Sequence, residues 1–307
     1  MKINALLSGL LLSLTIVSGS TAVFAQDDEE VRGAFLTTRP KASSKPKAGP
    51  AQKPNRRRPK PTVSKTPSTG SDASTKVETT EPAQPVGKAI SSRMGLGLTL
   101  FMRDSNGMAV RTDPTSEFKK GDRVRVLLET NADGYLYIFN TTNGGEPVMI
   151  YPDPELDEAG NYIQAHVPFE IPSSTAAEER LRWFVFDQNA GTERLHFVFT
   201  REPLSGVPME DDLITFCKDN NAKCPWRPAP DLWSQIQAEV KQPAQVTKPQ
   251  GAGKNQTEVE SQAATRGIGL NRDDPEPSLI MLTTSTDKKV LVATLDLIHI
   301  AVAGKTE

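Results

Sequence analysis

Apolar and polar positions alternate through the middle of the chain. From Arg123 to Thr130, Val124, Val126, Leu128 and Thr130 fall on one side of an extended backbone, with Arg123, Arg125, Leu127 and Glu129 on the other. Tyr135, Tyr137 and Phe139 then oppose Leu136, Ile138 and Asn140, and a third apolar run spans Val148 to Tyr151. The turn clusters Asn131-Ala132-Asp133-Gly134 and Thr142-Asn143-Gly144-Gly145 separate the three runs, which predicts a three-stranded antiparallel meander. One polar face predicts a first strand that is partly wet outside, and apolar residues on both faces predict a central second strand.

The flanks carry weaker versions of the same signal. Leu96 to Arg103 reads as a strand, Asp104 to Gly107 as a turn and Met108 to Arg111 as a short return. After the acidic loop 153–161 and the stretch Tyr162 to Ile171, Leu181 to Phe186 and Leu195 to Thr200 read as a second β pair. Helical spacing begins only beyond it. Pro208 opens one short helix with Leu213, Ile214 and Cys217 on a face, and Asp231 caps another with Leu232, Trp233, Ile236 and Val240. Leu279 to Thr283 and Val290 to Thr294, continuing toward Ile300, read as a hairpin that needs the main sheet for stability. The fold class expected is mainly β: an antiparallel β-sandwich or partly open barrel, two short helices after the main sheet, and a disordered arm in front.

Composition divides the rest. Residues 1–25 combine Lys2, an apolar stretch from Ala5 to Val17 and small residues up to Ala25, the pattern of a cleaved signal peptide. The stretch is short of the roughly 20 apolar residues of a membrane span, so no transmembrane span is expected after cleavage. Residues 26–88 are rich in Pro, Lys, Ser and Thr and read as a disordered basic arm, with no acid between Glu30 and Asp72. The β-domain is placed at 89–205, a helical excursion with the cysteine pair at 206–241, a flexible polar loop at 242–277 and the closing hairpin at 278–303. The net charge of -2 averages over this uneven distribution and decides nothing.

A basic arm on an exported chain points to an anionic envelope polymer or a protein as partner. It carries no interleaved aromatics for base stacking, which argues against nucleic acid. No pattern fixes an oligomeric state. The address expected is periplasmic or extracellular, where Cys217 and Cys224 would pair.

Candidate chemistry is sparse. Asp153, Glu155 and Asp157 alternate as hard-cation ligands do, with Asn161 further on, but the sixth-position glycine and twelfth-position acid of a calcium loop are missing. The loop therefore reads as a solvated turn, with no metal and no cofactor. His166, His196 and His299 sit in strand-like stretches and read as structural residues, and no Gly-x-Ser-x-Gly elbow occurs. Tyr135, Tyr137, Phe139, Tyr151, Tyr162, Trp183 and Phe186 read as sandwich core before they read as a ligand platform.

Gly121-Asp122 before a hydrophobic strand, Gly134-Tyr135-Leu136-Tyr137-Ile138-Phe139-Asn140, Ile150-Tyr151-Pro152, Ile171-Pro172, Gly191-Thr192-Glu193 and Thr200-Arg201-Glu202-Pro203-Leu204 form a series. On it, residues of about 90–205 resemble the bacterial family of domain of unknown function 4384. The resemblance implies an exported or surface-associated β-rich module attached to varied partners, and it transfers no catalytic residue. The function expected is a non-catalytic binding or scaffolding module of the cell envelope. The alternative is an envelope hydrolase with its site on loop 153–161.

Overall fold

Two β-sheets face each other across one apolar core, without closing into a barrel. The computed structural model describes residues 22–41, 56–57, 93–156, 160–219, 224–242 and 244–301. Most of the expected leader, the arm at 42–55 and 58–88, and Asp157 lie outside these residues. In chain order the elements are α1 (Ala22–Leu36), β1 (Gly95–Arg103), β2 (Ala109–Arg111), β3 (Glu117–Lys119), β4 (Arg123–Thr130), β5 (Gly134–Thr142), β6 (Val148–Tyr151), β7 (Tyr162–Ile163), β8 (Phe169–Ile171), β9 (Phe184–Val185) and β10 (Gly191–Thr200). There follow α2 (Glu210–Asp219), α3 (Pro230–Val240), β11 (Ala244–Val246), α4 (Glu258–Arg266), β12 (Leu279–Thr283) and β13 (Val290–Ile300).

The first sheet runs β11-β12-β1-β4-β8, with β2 added to β1 and β9 to β4; the second runs β3-β13-β10-β5-β6, with β7 added to β5. Leu96, Leu98 and Leu100 of β1 and Val124, Val126 and Leu128 of β4 meet Leu136 and Ile138 of β5 and Phe197 and Phe199 of β10 in the core. The register follows the alternation, with Leu98 opposite Leu128 and Phe197 opposite Ile138. Burying a side chain of this size stabilises by roughly 1.5–3 kcal/mol, so the inner faces hold the sheets together.

Both sheets are also covered outside. Tyr137, Phe139 and Val198 of the second sheet pack beneath Leu213 of α2 and Ile236 of α3. Ile280 and Leu282 of the first sheet pack beneath Val31 and Phe35, one turn apart on α1. Two glycines of β1 make room on that face: a Cβ on Gly95 would lie 2.7 Å from the Phe35 ring, and one on Gly97 would lie 2.4 Å from Pro277. The outer face of β4, expected to be partly wet, is therefore dry, with Arg125 and Glu129 both buried.

Several expectations are corrected. The central meander does not form, because β4 belongs to one sheet and β5 to the other; only β5 and β6 pair as neighbours. The same holds for β9 and β10, and the expected C-terminal hairpin is an arch whose strands β12 and β13 enter different sheets. Apolar residues on both faces leave alternation silent on which strand is the partner. Residues 26–41, placed in the disordered arm, form most of α1 and a docked turn, because Val31 and Phe35 bury against the sheet and Arg39 finds a buried carboxylate. Residues 242–277 are not a flexible loop throughout. They supply β11 and α4, whose Thr257 and Glu260 form a reciprocal capping box and whose Gly267 ends the helix with φ 63. Glu260 is buried on Arg111, which explains how so polar a stretch finds a place.

Candidate functional site

Of the acidic loop's candidate ligands, Asp153 and Glu155 are described and Asp157 lies outside the described residues. Asp153 Oδ1 accepts the Glu155 amide at 2.9 Å, and burial pushes the half-buried Asp153 carboxyl upward. Among the described residues no group of three His, Cys, Asp or Glu side chains is placed to hold a metal ion. Cys217 and Cys224 are joined in a disulfide with their Cα atoms 5.5 Å apart, beside α2.

Each histidine has a different setting. His166, at φ 58, approaches Glu129 Oε1 with Nδ1 at 2.7 Å and Thr38 Oγ1 with Nε2 at 2.9 Å. Burial would raise the Glu129 carboxyl, but hydrogen bonds from His166 and Arg39 outweigh it and hold Glu129 below the usual carboxylate range. These groups clamp the docked N-terminal turn onto β4. His196 lies edge-on to Trp233 of α3, its Nδ1 has no hydrogen-bond partner, and burial first, then Arg194, lowers its pKa to about 4. It is a neutral packing residue at pH 7. His299 is buried at the end of β13 against the Phe186 ring, centroids 5.3 Å apart.

The aromatics do not form one platform. Tyr137 and Phe139 lie under the helices, Tyr151 stacks obliquely on Phe169 in the core, and Trp183 sits on the opposite outer face with the Arg125 guanidinium 4.2 Å from its ring centroid. Phe186 stacks on Phe118 at 4.8 Å and borders a cavity.

That cavity, of about 330 Å³, opens at one end of the sandwich between the two sheets. Its floor is built of buried Val124, Val126, Phe186, Leu195 and Leu297, with Ile150 and Phe184 alongside. Exposed Thr142, Val185 and Asp187 stand at the mouth. Polar groups enter where inward-facing strand positions run out: Asn140 and Thr142 finish β5, Glu193 begins β10 and His299 finishes β13. Asn140 Nδ2 and Thr142 Oγ1 both donate to Glu193 Oε2 at 2.8 Å. That contact fixes the amide orientation and leaves Asn140 Oδ1 buried without a donor. Among the described residues, no lysine or arginine lines the cavity. Asp187 keeps its carboxyl below the ordinary range by accepting the Asn189 amide and side chain. The chemistry offered is an apolar slot with carboxylate and carbonyl acceptors at its polar end.

None of the expected site residues that are described lines this cavity, although His299 and Phe186, read as structural, do. The signal was present in the alternation: extending Leu136, Ile138 by two gives Asn140 and then Thr142, and extending Leu297 by two gives His299.

Residues 117–203 match the family described as Domain of unknown function (DUF4384), as the motif series implied. No curated protein and no solved structure matches the chain. The matched stretch runs from β3 through β10 and contains most of the cavity lining, while Leu297 and His299 come from outside it. Strands β1, β12 and β13, which complete the two sheets, also lie outside it.

Proposed function

We propose that this chain is an exported, non-catalytic binding module of the bacterial cell envelope, and that it takes the ammonium head and apolar stem of a small amine at the open end of its sandwich. The observation carrying this reading is the cavity, with an apolar floor, two carboxylates, an amide oxygen in want of a donor and, among the described residues, no cation. A primary ammonium supplies the missing N–H and meets Glu193 by charge, while its stem displaces water from Leu195, Leu297 and Phe186. The volume falls at the small end of the ligand-pocket range of about 300–1,000 Å³.

Export is supported by the leader-like residues 1–25 and by the Cys217–Cys224 disulfide. No helix among the described residues is long and apolar enough to cross a membrane. The non-catalytic reading is supported by the way buried charges are used, as in Arg39–Glu129, Arg111–Glu260 and Arg125–Glu170, which fasten flanking elements to the sheet or tie strands together.

Calorimetric titration of the full chain with hexylamine and with hexanoate tests the reading. Saturable binding of the amine alone, weakened at least about tenfold by Glu193→Gln, is expected for loss of a charge-assisted contact. Equal binding of both, or of neither, would count against it, and turnover of cell-wall material abolished by Asp157→Ala would favour the hydrolase instead.

A further inference from the structure

Two residues of the basic arm, Arg56 and Arg57, are seated on the domain. The Arg56 guanidinium lies 4.0 Å from the ring centroid of Phe169, a residue that is 1 % exposed. The Arg56 carbonyl accepts the Tyr162 amide at 3.0 Å, as an added strand would. A Cβ on Gly160 would lie 2.5 Å from that carbonyl, so the approach depends on glycine there. Arg57 then forks onto Asp211 in the first turn of α2, at 3.0 and 3.2 Å.

Main-chain pairing, a flat cation over a buried ring and a bidentate carboxylate together read a peptide backbone with arginine at consecutive positions. We propose that the edge formed by Gly160, Tyr162, Phe169 and Asp211 is a recognition site for a dibasic peptide of Arg-Arg type, filled in this molecule by Arg56 and Arg57 of its own arm. The site is separate from the amine cavity, with which it shares none of these residues. Lysine does not substitute, because an ammonium neither stacks flat on Phe169 nor spans both oxygens of Asp211. A partner carrying such a segment competes with the arm, and binding releases it.

The test uses the full chain carrying Arg56→Ala and Arg57→Ala, titrated with a fluorescent peptide of residues 52–61 and followed by anisotropy. The peptide should bind the vacated site saturably. It should bind the unaltered chain at least about tenfold more weakly, since a tethered ligand competes at an effective concentration on the order of millimolar. Adding Asp211→Ala, an exposed change that leaves the core alone, should weaken binding to the vacated site, and a peptide carrying Arg56→Lys and Arg57→Lys should bind at least about tenfold more weakly there. No binding to the vacated chain overturns the proposal. So does equal binding of the arginine and lysine peptides, which would mean attraction to acidic loops alone. Hexylamine binding is unaffected by either result, so failure here is distinguishable from failure of the cavity reading.

Discussion

Arg39 and Glu129 form a two-point ion pair, Nε to Oε1 at 2.9 Å and Nη2 to Oε2 at 2.7 Å, with side chains 0 % and 3 % exposed. Arg39 also donates to the carbonyls of Asn271, Asp274 and Pro275, so one guanidinium ties the N-terminal turn, β4 and the approach to β12 together. Breaking a buried pair by removing one partner typically costs about 3–5 kcal/mol, because the other charge stays buried. Arg39→Ala should lower the urea midpoint accordingly, and replacing both residues by Met and Leu should recover part of the loss. Unchanged stability in Arg39→Ala would show that the clamp contributes nothing.

Acid should weaken the fold through two groups. Glu129 has a folded pKa below its unfolded value, so its stabilisation is complete above the usual carboxylate range and is lost as pH falls through the folded value. His196 is lowered from 6.5 to about 4, so the stability present above pH 6.5 declines as the pH drops toward 4, where the unfolded chain binds the proton and the folded one does not. Urea unfolding at pH 7 and pH 5 should show a smaller loss in His196→Leu than in the unaltered chain. A histidine resonance titrating near 6.5 and assigned to His196 would contradict this.

Two glycines should answer alanine in opposite directions. Gly33 in α1 has open space around its Cα, and Gly33→Ala should stabilise by roughly 0.5–1 kcal/mol through helix propensity. Gly97→Ala drives a methyl into Pro277 and should cost about 1–3 kcal/mol. Thermal melts of the pair, with shifts of opposite sign, check the closeness of this packing.

The inward faces of the sandwich were legible because strand period is a local property: Val124, Val126 and Leu128 announced themselves in sequence and sit in the core. Which sheet a strand joins was not legible. Asn131 to Gly134 read as a turn within a meander, yet the chain there crosses from one sheet to the other, with Ala132 buried in the core and Asn131 Oδ1 accepting the Gly95 amide. Alternation carries no information about so distant a partner. Of the covering helices, α2 and α3 showed in their helical spacing, but α1 did not: a short acidic run interrupts its apolar residues, and its docking rests on Phe35 finding Gly95 and Gly97, distant in sequence. By contrast Thr257-Glu258-Val259-Glu260 spells a capping box, and could have announced α4 within the polar stretch.

The cavity should also respond to being filled. Leu195→Trp places a larger ring at its floor and should abolish amine binding while costing about 1–3 kcal/mol of stability by overpacking. Asn140→Ala removes the unpartnered oxygen and should weaken the amine by several-fold, with far less effect on an apolar alcohol of the same length. Calorimetry on the two variants, with unfolding curves to show that both are folded, separates loss of site from loss of fold.

The most direct measurement is a titration of the isotope-labelled full chain with hexylamine, followed by amide chemical shifts. The binding-module account predicts saturable changes confined to Asn140, Thr142, Val185, Asp187, Glu193 and the end of β13, the residues around the cavity. Changes centred on the loop from Asp153 to Asn161, or none at millimolar amine, would contradict it.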